Sequence, residues 1–470
     1  MPLLILQPRQ RRAERTYVLE TLLRGYLGID FVSGGVCEGS TRLELDDGSG
    51  RKVLVLPDVF LATGEQRWLK GDSLPRHPLP IWEVARDLPE ACCVEPGLPV
   101  VCGSPVRDME WIVQEEHRLE LGLDVLGSAF FMLTRYEELV KPDRDEHGRF
   151  PARESLAGRA GLLGRPIVDE YAEVLWACMK RLWPGMQRRE RGYKLLLTHD
   201  VDSPFSYLNL GRLGLLRASA GDLAIRRAPG VSFRRMMVAL SPSRVQPFLD
   251  PENSFGWMMR QAERRGVHSA FFFSAGGDSE YDPVYSLEDH AVRSLIRRIA
   301  GRGHEVGFHG SYGSMESAEL TTAEVAKLRR VLEDLEVRQE VLGGRQHYLR
   351  WRPVTWRRWS EAGLDYDSSV GYRDMPGFRA GTTQEFQAFD LEEGRVLPIR
   401  ERPLTAMDVT LFAQTGCWAG LDSDNVVGAV ERLSGTVRKV GGTFTLLWHN
   451  SSLLSRRQRA VYQECLDVCV

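Results

Sequence analysis

Leu195-Leu196-Leu197-Thr198-His199-Asp200-Val201-Asp202-Ser203-Pro204 is a short apolar run that ends in two carboxylates one residue apart, with a histidine ahead of them and a proline behind. Read as a strand running into a loop, it sends alternate side chains to the same side, so Asp200 and Asp202 address one pocket if the extended backbone persists. One carboxylate then binds a metal while the other stays free as a base. Taken alone, the stretch is equally good turn chemistry, because Asp side chains cap backbone groups and Pro fixes φ. The chain downstream decides between the two.

Residues 255–265 have helical periodicity, Gly266 ends them, and Val267-His268-Ser269-Ala270-Phe271-Phe272-Phe273 reads as a buried strand. Residues 289–302 are again helical, and His304-Glu305-Val306-Gly307-Phe308-His309 is a strand ending in a histidine. A capping box, Thr321-Thr322-Ala323-Glu324, opens a helix to 338. Residues 348–352 read as a strand end, 355–362 as a helix closed by Gly363, and 365–370 as a strand and loop. Gly442-Thr443-Phe444-Thr445-Leu446-Leu447-Trp448-His449-Asn450 is a last buried strand tipped by His449. This alternation predicts βα units around a parallel sheet or barrel. Asp200 and Asp202, His309, Arg350 with Arg352, and His449 then meet on the face where the strands end.

At 470 residues the chain exceeds what one core usually organises, which predicts two domains. We read residues 1–187 as a smaller α/β domain and 188–470 as the barrel, with the polar stretch 187–191 as the boundary. The first part has short strands at 3–6, 43–45 and 52–56 and helices at 14–27, at 128–139 and up to 182. The charged loop 141–150 has no calcium-loop spacing and is expected to be solvated. Residues 207–253 form an insertion that carries Arg212, Arg217, Arg226, Arg227, Arg234, Arg235 and Arg244 among Leu, Met and Phe residues. A solvated helical insertion is the expectation; a basic lid for an anionic glycan or a lipid-carrier headgroup is the alternative.

Hydrophobic residues make up 43% and charged residues 27%, as in ordinary soluble proteins, and a formal charge of -3 gives no argument for nucleic acid. No apolar run reaches the about 18 residues of a membrane span, and the first apolar run precedes its basic residues, the reverse of a secretory signal. The eight cysteines include no CxxC pair and are read as reduced thiols of a cytoplasmic protein. Trp351, Trp356 and Trp418 have rings suited to a pyranose face but are read as core.

Taken in order, Thr198-His199-Asp200-Val201-Asp202, Gly303-His304-Glu305-Val306-Gly307-Phe308-His309, Arg352-Pro353, Tyr366-Asp367-Ser368-Ser369 and Leu446-Leu447-Trp448-His449-Asn450 resemble the motifs of the polysaccharide deacetylase family, the NodB-homology or carbohydrate esterase 4 group. The resemblance spans about residues 190–460. It implies a distorted (β/α) barrel and metal-dependent removal of N-acetyl groups from an amino-sugar-containing glycan or its precursor. By the same resemblance Asp200 is the base, Asp202 and His309 are metal ligands, Arg352 holds the base, and His449 is the acid. Tyr312, Arg350, Asp367 and Trp448 are the expected substrate-binding positions. The implied cofactor is a divalent metal, zinc first and cobalt or manganese next. The implied partner is an N-acetylated saccharide. Residues 1–187 resemble the accessory domain that precedes this barrel in some bacterial polysaccharide-locus proteins, and could shape access or mediate a homodimer.

One motif departs from the family. A second histidine is expected four residues after His309, where this chain has Gly313. Ser311, Ser314, Glu316 or His199 could substitute as ligand, or the site binds metal weakly through Asp202, His309 and water, which suits a hard ion better than tight zinc. Otherwise the chain is a degenerate glycan-binding member without turnover. An O-acetyl ester as substrate also remains open, because the same metal and water chemistry serves both bonds.

Overall fold

A computed structural model describes residues 2–48, 50–243, 245–414 and 423–470. Arg244, Cys417 and Trp418 lie outside the described residues. The first part of the chain builds a six-stranded mixed sheet. Leu3–Gln7 runs parallel to Phe31–Val36 and antiparallel to Ser40–Asp46, and the sheet continues through Arg51–Pro57, Arg118–Leu121 and Ile112–Glu115. Ile167–Leu182 packs its apolar face on this sheet. The expected helix at 14–27 is an α-helix, Arg12–Leu19, that widens into a π-helical stretch, Glu20–Leu27.

The expected helix at 128–139 is broken. Val125–Leu133 ends, Arg135 adopts a left-handed backbone with φ 55, and Tyr136–Val140 starts anew. The break has a cause that sequence periodicity does not carry. Arg135 is buried and must be paired, which it achieves by turning onto Glu137 and Glu138 at 3.2 and 2.9 Å.

The second sheet has nine strands and is curled. In chain order they are β1 Lys194–Val201, β2 Ser269–Ser274, β3 Glu305–Gly310, β4 Gly343–Gln346, β5 Tyr366–Asp367, β6 Phe386–Asp390, β7 Arg395–Glu401, β8 Ala406–Met407 and β9 Thr443–Leu447. Their order across the sheet is β6-β7-β5-β4-β3-β2-β1-β9-β8, with every neighbouring pair parallel except β6 with β7. The expected barrel is therefore an open, curled sheet: among the described residues β6 and β8 remain unpaired edges. Parallel pairing still brings the C-terminal ends of eight strands to one side, which is what the site requires.

β4 corrects the expected strand end at 348–352. It is Gly343-Gly344-Arg345-Gln346, a polar strand between apolar ones. Its glycines are set by crowding: a Cβ on Gly344 would stand 1.7 Å from the Phe308 carbonyl oxygen, and one on Gly343 would stand 2.2 Å from the Tyr366 ring. No apolar run announces such a strand, because its neighbours leave no room for a side chain at its first two positions.

Residues 183–193 carry neither helix nor strand and connect the two sheets. The two parts nevertheless share one apolar core. The Tyr17 hydroxyl donates to the Gln387 carbonyl at 2.8 Å, buried Arg379 pairs with Glu138, and Asp169 accepts from the Thr383 amide and hydroxyl.

Candidate metal centre and its pocket

At the C-terminal edge of the curled sheet lies a pocket of about 240 Å³, with Asp200, Asp202, His309, His347 and His449 on its walls. Strand β1 supplies Asp200, and Asp202 directly follows its end. Period-two alternation sends Thr198 and Asp200 to the same side, and both accept from Arg345 Nη1, at 3.0 and 2.8 Å. Leu197, His199 and Val201 point the other way, into the core. Registration across β1, β2, β3 and β4 pairs Asp200 with Phe272, Ser274 with His309, and His309 with Arg345.

Arg345 has the place expected of Arg352. It is fully buried and bound to Asp200, to Thr198, and to both the carbonyl and hydroxyl oxygens of Ser368. Its guanidinium holds the Asp200 carboxylate in a charge-assisted hydrogen bond. Arg352 does not reach Asp200. It sits at the start of helix Pro353–Glu361, with its guanidinium 3.8 Å from Glu316.

Asp202 stands at the mouth, among three histidines. Its Oδ1 is 3.2 Å from His309 Nε2 and 3.5 Å from His347 Nε2, and its Oδ2 is 3.5 Å from His449 Nε2. Burial opposes the charge on Asp202, but the close approach of His309 and the fields of His347 and His449 hold its pKa well below the usual carboxylate range. Asp202, His309 and His347 offer three ligand atoms within 4.8 Å of one another.

The residues present fit a divalent cation. Asp202 Oδ1 and His309 Nε2 are both buried and face each other without a well-aligned hydrogen bond. His309 Nδ1 lies 2.8 Å from the Arg345 carbonyl, which fixes the tautomer and leaves the Nε2 lone pair turned to the site. His347 Nδ1 lies 3.6 Å from Asp282, whose carboxylate also accepts from the Tyr312 amide. At that distance the carboxylate faces the ring without hydrogen-bonding it.

His347 was missed by the sequence reading, and it stands beside Asp202 and His309 as the third member of the candidate ligand group. None of the expected substitutes comes to the site. His199 is a core histidine, with Nδ1 2.7 Å from the Trp448 carbonyl, and burial lowers its pKa to about 4. The Ser311 amide binds Glu324, the Ser314 hydroxyl binds the Ser311 carbonyl, and Glu316 lies beside Arg350 and Arg352. His347 would have been found had β4 been placed at 343–346, since it directly follows that strand.

His449 has a buried partner that sequence reading also missed, Asp408, which directly follows β8. Its two carboxylate oxygens take the His449 Nδ1, at 2.7 Å, and the His449 backbone amide, at 3.0 Å. Burial works against a charged His449, yet Asp408, with Asp202 and Asp200 beyond it, raises its pKa to about 10. Its Nε2 therefore carries a proton toward the pocket. Asp408→Asn is expected to lower that pKa, so that activity is lost at lower pH on the alkaline side of the rate profile. An alkaline limb that stays where it is would separate Asp408 from the acid.

The loop after Asp202 is tied to both ends of the site. Asn450 Nδ2 donates to the carbonyls of Ser203 and Glu252, and the Ser203 hydroxyl donates to the Glu252 carboxylate. Burial raises the Glu252 pKa to about 7 despite that bond and the nearby Arg235. A raised native pKa on an acid means that stability is greatest below its unfolded value and falls as pH rises through 7. Glu252→Gln removes that fall. Its thermal melt should match wild type near pH ~4 and exceed it by a few degrees above neutrality; coincident melts at both ends would refute the assignment.

The remaining expected positions are distributed unevenly. Trp448 is fully buried between Phe412 and Tyr462, and Asp367 is buried against Ser369, so neither side chain faces the pocket. Trp351 and Trp356 are core, as expected. Arg350 lies over the Tyr312 ring and donates to the His147 and Tyr312 carbonyls, while the Tyr312 hydroxyl meets His147 Nδ1 at 3.0 Å. Both belong to a wall behind the pocket.

The loop 141–150, expected to be solvated, is largely packed, and it delivers Arg149 to the pocket. Arg149 is held by Asp145 and the Tyr348 carbonyl, and Arg373 lines the pocket with it. Tyr348 and Leu349, also in the lining, have left-handed backbones with φ 60 and 54, a strain of about 1–3 kcal/mol each of the kind found where a site dictates geometry.

Residues 3–184 match the model of a family of unknown function, DUF7033. No curated protein matches the chain. Among solved structures, the chain is similar to a candidate polysaccharide deacetylase from Mycobacterium smegmatis, with 15% identity over 60% of this chain and 85% of that one, at a TM-score of 0.38. It is similar to the Puue allantoinase at 15% identity over 61% and 85% of the two chains, TM-score 0.36. It is similar also to a candidate polysaccharide deacetylase involved in O-antigen biosynthesis from Bordetella bronchiseptica, at 13% identity over 58% and 82%, TM-score 0.25. At such TM-scores these likenesses carry none of the reasoning that follows, which rests on the geometry of the pocket.

Proposed function

We propose that this protein is a metal-dependent hydrolase that removes the acetyl group from an N-acetylated amino sugar in a glycan or glycan precursor. One observation carries the reading: a buried carboxylate fixed by an arginine, an Asp-His-His ligand set and an aspartate-backed histidine converge on one pocket. A divalent cation held by Asp202, His309 and His347 would supply Lewis-acid polarisation of the acyl carbonyl and lower the pKa of water. Asp200, held in place by Arg345 through one oxygen, takes the proton from the attacking water at the other. His449 gives the Nε2 proton to the nitrogen as the C–N bond breaks, so acetate and a free amine leave.

The test is acetate release from N-acetylhexosamines by protein loaded with zinc, cobalt or manganese, with the metal quantified in the same samples. Acidic acetylated sugars belong in the substrate set, because Arg149 and Arg373 line the pocket. Bound metal with acetate release from an amide substrate supports the reading. Release from O-acetyl esters alone would make the protein an esterase, and metal bound without any release would overturn hydrolysis.

A further inference from the structure

The insertion after β1 is a helical hairpin, Ser206–Ala224 and Pro229–Leu240, and its polarity is inverted. Where two helices usually bury apolar side chains, these bury mostly polar ones. The Ser219 hydroxyl bonds the Ser232 carbonyl and hydroxyl at 2.8 and 2.9 Å, and Asp222 pairs with Arg235 at 2.9 Å. Leu215, Val238 and Ala239 form a small buried apolar cluster beside them, with Tyr207 and Leu249 packed against it.

The apolar stripe points outward instead. Phe233, Met236, Met237 and Leu240 recur at the three-, four- and seven-residue spacing of one helix face, and all are exposed, Phe233 by 59% and Leu240 by 70%. On the first helix Leu213, Leu216 and Leu223 repeat the pattern, with Leu213 81% exposed, and Ile225 follows in the connecting turn at 83%. Single exposed apolar residues need no explanation, whereas a contiguous stripe marks an interaction surface.

Charge says what covers it. Residues 206–249 contain seven arginines and one acidic residue, Asp222, which is buried and paired with Arg226 and Arg235. Arg212, Arg217, Arg226 and Arg227 are exposed around the stripe. A groove of about 450 Å³ beneath the second helix adds Arg234, Arg456 and Arg459. A second copy of this chain would set one cationic rim against another. An anionic bilayer surface matches both features, taking the stripe into its acyl boundary and the guanidiniums at its phosphates.

We infer that this hairpin docks the protein onto the surface of a membrane that carries anionic phospholipid. No described helix is long and apolar enough to cross a membrane, so the hairpin lies in the interface. It begins at Ser206, four residues after Asp202, and is anchored there by Ser206 to Asp250 and by Asn209 to Ser203. The hairpin is thus rooted beside the loop that carries Asp202. The inference is independent of the reaction catalysed.

The test is co-sedimentation of the full chain with vesicles of phosphatidylcholine alone or mixed with phosphatidylglycerol, at low and high salt. Wild type should bind the anionic vesicles and release at high salt. Arg212→Gln, Arg217→Gln and Arg227→Gln together should weaken binding at least about tenfold, because several interfacial arginines jointly carry that much. Phe233→Ser with Leu240→Ser should abolish retention while leaving the thermal melt unchanged, since neither side chain is packed. No binding to anionic vesicles overturns the inference. A concentration-dependent dimer abolished by Phe233→Ser and Leu240→Ser, without vesicle binding, assigns the surface to a second copy instead. Equal binding to neutral vesicles overturns the role of the arginines.

Discussion

Asp200→Asn is expected to lower acetate release by about 100- to 10,000-fold, the usual weight of a positioned general base, while the bound metal stays. The substitution keeps the shape and an acceptor for Arg345, so substrate access is unchanged and the loss falls on the proton-transfer step. It also removes the counter-charge of a fully buried guanidinium. Arg345 keeps the Ser368 and Thr198 oxygens, but an unbalanced buried charge costs about 3–5 kcal/mol, so the melting temperature should fall as well. The measurement is single-turnover acetate release alongside metal content and a thermal melt. A variant that retains wild-type turnover would remove Asp200 from the mechanism, whatever its stability.

His347→Ala is expected to weaken metal binding by more than the about 10–100-fold that follows loss of a ligand's outer partner, because here a ligand itself goes. Activity should fall with it and recover in part when excess metal is supplied. The informative companion is Gly313→His in the same background. A Cβ at Gly313 points at Leu320 Cδ2, 3.4 Å away, toward helix Ala318–Asp334, so a histidine there faces helix packing. It should not restore metal. Restoration by Gly313→His would show that the third ligand belongs at the position the family pattern expects, and that His347 is a bystander.

These two residues mark how far the sequence reading reached. Asp200, Asp202, His309 and His449 were legible because each ends or directly follows an apolar run, and a parallel sheet makes sequence-distant strand ends neighbours. Arg345 and His347 were not, because β4 has no apolar pattern: its two glycines are dictated by the Phe308 carbonyl and the Tyr366 ring, which belong to other strands. Arg352 drew the role of Arg345 since an Arg-Pro pair is conspicuous, yet its place at a helix start turns it toward Glu316. Trp448 follows a strand whose alternation sends its ring into the core between Phe412 and Tyr462.

The remaining gap is longer in range. Arg149 and His147 come from the first third of the chain, and nothing near them in sequence indicates that they close a wall beside residues 312 and 348. The hairpin shows the same limit from the other side. Its arginines and apolar residues were visible as composition, but which of them face outward depended on Ser219, Ser232, Asp222 and Arg235 choosing each other.

The amino-acid sequence by itself determined the α/β class, the strand-end carboxylates and histidines, and the basic, apolar insertion, because these follow from local periodicity and residue chemistry. Tertiary structure alone decided that the sheet stays open, that Arg345 and not Arg352 meets Asp200, that His347 stands beside Asp202 and His309, and that Asp408 stands behind His449. Those depend on which strand lies beside which and how closely. Strand neighbours are chosen by packing across the whole chain, and no local pattern encodes that choice.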